Sequence, residues 1–188
     1  MAGGMRTALA GAMVIALAGC AASVSDVPVK VGRPYSVRGV TYVPAADPAY
    51  DVLGYASWYG GESGNRTANG EKFRARWVTA AHTTLPLPSY VEVTALATGR
   101  RLLVRVNDRG PFARGRVLDL SRGAARELGV EAAGLAAVRV RVVTPGERDA
   151  ARLRKGKPAA ARPAEDARVL VHLRAQLAAG ERAGLVRR

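Results

Sequence analysis

The chain has 188 residues, with 29 Lys and Arg against 15 Asp and Glu, a formal net charge of +14, 48% hydrophobic residues and one cysteine. That length accommodates one compact domain with flanking segments rather than two full domains. The ordinary apolar fraction excludes a wholly disordered chain, and the single cysteine excludes a disulfide-stapled mini-protein.

So basic a surface attracts any polyanion, and the compartment must decide between nucleic acid, anionic lipid and acidic glycan. Arg6 precedes an uncharged, Ala-rich run from Thr7 to Ala18, too short to span a bilayer and of signal-peptide length. Residues 1–19 are therefore expected to be removed. The run ends in Leu17-Ala18-Gly19-Cys20, which resembles the bacterial lipobox, where signal peptidase cuts before a cysteine that is then acylated. Cys20 is the expected lipidation site; the alternative is an ordinary signal peptide with an incidental small-residue stretch. Three acyl chains, at ~0.8 kcal/mol per buried CH₂, anchor a protein stably. The resemblance puts the mature chain in a bacterial periplasm, held to a membrane by this anchor, and Ala21 after the cysteine favours the outer membrane. Export removes nucleic acid as a partner.

Residues 20–53 carry Pro28, Pro34, Pro44 and Pro48 and read as an extended, disordered tether with at most a short hairpin around Val37-Arg38-Gly39-Val40. Strand patterning dominates from there to residue 144. A first strand fits Tyr55–Tyr59 and a second Val78–Ala81. Val91, Val93 and Ala95 alternate with Tyr90, Glu92 and Thr94, and after an Ala97-Thr98-Gly99 turn Leu102, Val104 and Val106 alternate in the same way, which predicts a hairpin. Val117–Leu120 and the Val138, Val140, Val142 series add two more. Ser121 is placed to N-cap a short helix holding Ala124, Ala125 and Leu128, stopped by Gly129. Many strands around one or two short helices predict a mainly β domain, a small barrel, over residues 54–144. The basic Ala- and Arg-rich tail, 145–188, reads as structureless over 146–164, with a helix over 165–179 that places Val169, Leu170, Leu173 and Leu177 on one stripe.

Two runs carry chemistry: Gly54-Tyr55-Ala56-Ser57-Trp58-Tyr59-Gly60 through Thr67-Ala68-Asn69-Gly70-Glu71, and Val106-Asn107-Asp108-Arg109-Gly110-Pro111-Phe112. With Thr79-Ala80-Ala81-His82 and Leu85-Pro86-Leu87-Pro88, they resemble the rare lipoprotein A family of septal-ring lytic transglycosylases across residues 54–144. The resemblance implies a six-stranded double-psi β-barrel acting on peptidoglycan glycan strands. It implies Asp108 as the catalytic acid, with Glu71 and His82 as the other functional polar positions. A lytic transglycosylase cuts the MurNAc–GlcNAc β-1,4 bond without water. An acid protonates the leaving oxygen, and its conjugate base then helps the muramyl C6 hydroxyl attack C1, so one carboxyl can serve both steps.

Read on residue type alone, Asp108 is an Asx-turn residue, Glu71 a loop-tip acid after Asn69-Gly70 and His82 a structural histidine. Arg109 beside Asp108 poses a conflict, because a neighbouring cation lowers the pKa that a general acid needs raised; opposite facing of adjacent residues would resolve it. Trp58 and Tyr59, with Tyr55 and Trp77, serve either as a sugar platform or as barrel core, and at most one of the adjacent Trp58 and Tyr59 faces a cleft. Asn69, Asn107, Arg109 and Ser121 are the further candidates for sugar contacts, each equally a turn, cap or solvated residue. His82 and His172, with no free cysteine in the mature chain, offer no metal-ligand set, and no cofactor is expected.

The leading expectation is a transglycosylase that prefers strands stripped of stem peptides. The alternatives are a noncatalytic glycan-binding or septal-ring structural lipoprotein on the same barrel, and an expansin-like loosener. Division-site proteins are candidate partners, but the 44 residues after Thr144 are too few for the glycan-binding repeat domain that many relatives carry, so septal targeting is not inferred.

Overall fold

The computed structural model describes residues 1, 23–60 and 64–187. Cys20, the lipobox and the expected signal segment 1–19 lie outside the described residues. Among the described residues no helix is long and apolar enough to cross a membrane.

A two-stranded hairpin, β1 (Tyr35–Val37) and β2 (Val40–Tyr42), precedes six strands: β3 (Asp51–Tyr59), β4 (Thr79–Ala81), β5 (Ser89–Ala95), β6 (Arg101–Asp108), β7 (Arg116–Ser121) and β8 (Ala136–Val142). These six close into a barrel in the order β3-β7-β4-β6-β5-β8. β3 with β7 and β4 with β6 run parallel, and every other neighbouring pair is antiparallel. The mainly β fold is thus the six-stranded barrel expected. Its interior is built from the alternating apolar rows, with Val91, Val93, Val104, Val106, Leu118, Leu120, Val138 and Val140 all buried. Closure leaves no unpaired barrel edge.

Helix α1 (Arg122–Leu128) begins and ends where capping chemistry directs it. Ser121 Oγ accepts the Ala124 N–H, and Gly129, at φ +79°, closes the C-terminus in the left-handed region. The flanks differ from the sequence expectation. The segment from residue 23 to 50 is no free tether: Val24 N–H bonds Arg154 O, and Lys30 and Leu87 exchange two backbone bonds of 2.7 and 2.8 Å. β3 accordingly starts at Asp51 rather than at the expected Tyr55.

The first part of the tail forms α2 (Glu147–Arg154), with Glu147 and Asp149 in its first turn and Arg152 and Arg154 in its last, matching the helix dipole. Leu153 of this helix is fully buried in the main core. The chain then turns at Gly156, φ +71°, tight against the Trp77 ring: a β-carbon there would lie 2.1 Å from it, so only glycine fits. Helix α3 (Ala167–Arg182) packs Leu170, Leu173 and Leu177 with Tyr55 and Leu96 in a second cluster on the outside of the barrel, whereas Val169, part of the expected stripe, stays exposed.

Candidate active site

The site grows from the shortest strand. β4 lies between β6 and β7, and Ala81 pairs with Asp108 on one side and Asp119 on the other. Straight alternation along β6 would continue the inward row of Val104 and Val106 to position 108. An irregularity intervenes: Ala80 pairs with Val106 but Ala81 with Asp108, so Asn107 is an extra residue in β6. Such bulges re-aim the side chains that follow, and here the Asp108 carboxyl emerges at the barrel rim. On β7, Leu118 and Leu120 point into the core, so Asp119 takes the other face beside Ser57 of β3, its register partner.

The two carboxylates line one groove of about 370 Å³, together with Tyr59, Ala81, Gly110 and Phe112. The remaining wall is basic, formed by Arg38, Arg66, Arg109 and Arg116. A larger cavity of about 570 Å³ lies between Val52-Leu53, the segment Arg114–Val117 and the C-terminal residues 184–187. Its lining holds no carboxylate, so it offers no general acid.

Asp108 Oδ1 accepts the N–H groups of Ala68 and Arg109, both at 2.8 Å. Among the described residues no backbone N–H reaches Oδ2. Burial pushes the Asp108 pKa above the ordinary value, outweighing the opposite pull of those two N–H bonds, of Tyr59 and of the Arg109 charge. The conflict over Arg109 is resolved in space. Its guanidinium donates to the carbonyls of His82 (3.2 Å), Leu85 (2.5 Å) and Val31 (3.0 Å), which fixes its charge on backbone oxygens.

Asp119 Oδ1 accepts the Ser57 hydroxyl at 2.7 Å and faces Arg116 Nε at 3.5 Å, yet burial raises its pKa as well. Among the described residues the buried Tyr59 hydroxyl has no well-formed hydrogen bond. Burial and the charges of Asp108 and Asp119 push its pKa up, so it remains a protonated donor beside both acids. Tyr59 is held in place by stacking on Phe73, with ring centroids 5.0 Å apart.

Glu71 and His82 do not line this groove. Both Glu71 oxygens are gripped by Arg105 Nη1 and Nη2 at 2.8 Å each, with Asn107 Nδ2 at 2.7 Å and Asn69 Nδ2 at 2.8 Å. Burial acts upward on the Glu71 pKa, but the bonds from Arg105, Asn107 and Asn69 and the Arg105 charge together hold it below the ordinary value. This acid is ionised and fully engaged. His82 Nδ1 accepts the N–H groups of Thr84 (3.1 Å) and Leu85 (3.0 Å), which leaves the proton on Nε2, 2.9 Å from Tyr50 Oη. Burial, aided by the Arg109 charge, lowers its pKa to about 4, so the ring is neutral at neutral pH. Both residues nonetheless touch the acid's support. Asn69 N–H bonds Asn107 O, and His82 N–H bonds Asp108 O.

Of the expected sugar contacts, Tyr59 faces the groove, Arg109 lines it with its guanidinium already committed, and Trp58 packs against the core with Nε1 bonded to Glu131 O at 3.0 Å. Ser121 requires correction. It is 0% exposed, donates to Trp77 O and accepts from Thr79 and Ala124, so no lone pair or proton remains for a saccharide. Asn107 is buried in the Glu71 network and Asn69 is tied to the same carboxylate. Asp119, Arg38, Arg66 and Arg116 are the groove residues that sequence reasoning missed. For Asp119 a signal existed, a single acid between two inward leucines on a short strand.

The parallel pairings and the closed six-strand order are those of a double-psi β-barrel, and residues 51–140 match the protein family described as lytic transglycolase. Through this barrel the chain is similar to proteins named endolytic peptidoglycan transglycosylase RlpA. Over 115 residues it is 53% identical to the endolytic peptidoglycan transglycosylase RlpA of Pseudomonas aeruginosa strain UCBPP-PA14, an overlap covering 60% of this chain and 34% of that protein. Over 115 residues it is 44% identical to the protein of the same name from Rickettsia felis, covering 59% of this chain and 50% of that one. The chain therefore spans between a third and a half of the length of these relatives. Among solved structures, the Streptomyces papain inhibitor superposes with a TM-score of 0.45 at 21% identity, covering 53% of this chain and 100% of the other.

Proposed function

We propose that this chain is a lytic transglycosylase that cleaves the MurNAc–GlcNAc linkage of peptidoglycan glycan strands and leaves 1,6-anhydromuramic ends, with Asp108 as the acid and then the base. The observation that carries the reading is the Asp108 carboxyl itself: half-buried at a groove rim, raised in pKa, and, among the described residues, held by backbone N–H groups at one oxygen alone. A protonated Asp108 gives its proton to the bridging oxygen as the bond to C1 breaks. The resulting carboxylate takes the proton of the muramyl C6 hydroxyl as that oxygen attacks C1, so the acid is regenerated and no water is consumed. Tyr59 donates toward the leaving oxygen or its neighbour, and an ionised Asp119 offsets positive charge that develops at C1. Glu71 and His82 act as positioning residues, through Asn69-Asn107 and through the Asp108 carbonyl. The Arg-rich rim supports binding to an anionic strand. In the same reading Cys20 carries the lipid, and the enzyme works in the periplasm from a membrane anchor, the outer membrane being favoured by Ala21.

The test is a digest of purified glycan strands with the full chain, read by mass spectrometry. Anhydro ends with no incorporation of ¹⁸O from labelled water are expected; hydrolytic ends, or retained strands with no new ends, would overturn the reading in favour of a hydrolase or of a glycan-binding protein respectively. Asp119→Asn is expected to lower kcat by roughly 10²- to 10³-fold while leaving the melting temperature at pH 7 equal to or above that of the wild type. A variant as active as the wild type would remove Asp119 from the mechanism.

A further inference from the structure

Hairpin β1–β2 lies outside the residues that match the family, yet it closes one side of the groove. Its two-residue turn is Arg38-Gly39, with φ +51° and +77°, between the paired Val37 and Val40. Turns of this kind favour Asn or Asp followed by Gly, because the first position is left-handed. Among the described residues Arg38 is the only non-glycine with a positive φ. A long, branched cation thus occupies a position that a smaller residue would fill with less strain, and strain of this sort concentrates where a side chain has a task.

The hairpin is also pinned. Tyr35 Oη donates to Thr83 O at 2.7 Å, Arg109 Nη2 donates to Val31 O at 3.0 Å, and the rings of Tyr35 and Tyr42 lie 6.2 and 5.6 Å from Phe112, itself a groove residue. Arg38 is therefore presented at a fixed place on the rim. The other three rim arginines already have partners: Arg66 donates to Gly70 O, Arg109 to three carbonyls, and Arg116 to Ser57 and toward Asp119. Arg38 alone of the four has no ion pair or hydrogen bond among the described residues.

We propose that Arg38 is a specificity-determining residue that binds a carboxylate borne by the saccharide in the groove, so that the hairpin preceding the barrel forms an anionic-sugar subsite. This rests on the reading that the groove takes a glycan strand. In peptidoglycan the lactyl carboxyl of every second sugar is free and anionic where the stem peptide is absent, and is an uncharged amide where it is present. A single guanidinium aimed at the groove distinguishes these two forms through a charge-assisted hydrogen bond.

The experiment compares the full chain with Arg38→Asn, a residue that suits the left-handed turn, and with Arg38→Lys, which keeps the charge but loses the fork. Strands with free carboxylates and the same strands with those carboxylates converted to primary amides serve as substrates. For Arg38→Asn a KM increase of about two- to tenfold on carboxylate strands is expected, with kcat little changed, no change on amidated strands and a melting temperature equal to or above that of the wild type. Arg38→Lys should recover part of the loss. Equal losses on both substrates, or no loss on either, would overturn the subsite. Equilibrium binding of the same two strands reads Arg38 independently of cleavage. A wild type that cleaves nothing but loses affinity for carboxylate strands on Arg38→Asn therefore refutes the enzymatic reading and retains the subsite, whereas unchanged affinity refutes the subsite.

Discussion

Replacing Asp108 by Asn is expected to reduce release of anhydro-ended products by about 10²- to 10⁴-fold, the usual contribution of a positioned general acid and base, while leaving the barrel folded. The amide is nearly isosteric, and its oxygen still accepts the Ala68 and Arg109 N–H groups that now meet at Oδ1. What it cannot do is give a proton to a leaving oxygen. The stability consequence has a defined sign. A carboxyl whose folded pKa is raised makes the charged folded state less favourable at every pH above its unfolded value, and this penalty disappears as pH falls below that value. Asp108→Asn should therefore melt at the same temperature as the wild type or higher at pH 7, with the difference closing below about pH 4, near the ordinary carboxyl value of 3.8. Product analysis and thermal melts at both pH values check this together. Loss of activity with a lower melting temperature at pH 7 would mark Asp108 as structural, and retained activity would shift the acid's role to Asp119 or elsewhere.

The same physics explains what was legible in the sequence. Period-two alternation fixed the barrel strands because one face of each strand is buried, and the Ser121 cap and Gly129 stop located α1 through local hydrogen bonding alone. The flanks were opaque because their anchors are single long-range contacts. Leu153 fixes α2, and Asp26 ties the N-terminal segment to Arg105 and Arg154, with no repeating pattern to announce either. At the site, Asp108 was found from its surrounding motif, but its orientation was not, since it depends on one extra residue in β6 that only strand register reveals. Asp119 and Arg38 were missed for a related reason: each is unremarkable in its own segment and acquires meaning when β7 and the first hairpin converge on the end of β6.

The largest effect on stability is expected at Arg105. Its side chain is 0% exposed and satisfies two separate pieces of chain: Nε donates to Asp26 at 2.8 Å and Nη2 to the neighbouring Ser25 O at 2.9 Å, while Nη1 and Nη2 donate to Glu71. Arg105→Met keeps much of the volume but leaves Glu71 without its cation and Asp26 with Arg154 alone, and breaking one side of a buried ion pair costs about 3–5 kcal/mol. For a chain of this size that corresponds to a fall in melting temperature of roughly 10 °C. The pH dependence separates this cause from a simple packing defect. Burial acts upward on both acids, but their hydrogen bonds, that from Tyr90 to Asp26 and those from Arg105 to both, leave the two pKa values lowered in the folded chain. Their contribution is therefore present above the ordinary values of 3.8 and 4.5 and lost as pH falls through the lower folded values. In Arg105→Met the unpaired Glu71 is relieved by protonation instead, so the gap between variant and wild type should narrow below about pH 4; a packing defect would leave it constant. Activity should fall with stability. Glu71 no longer braced by Arg105 frees Asn69 and Asn107, and with them the loop whose Ala68 N–H holds the Asp108 carboxyl. A variant with unchanged melting temperature but reduced kcat would show that the network serves the acid alone; one with both unchanged would show that neither the N-terminal segment nor the loop depends on it.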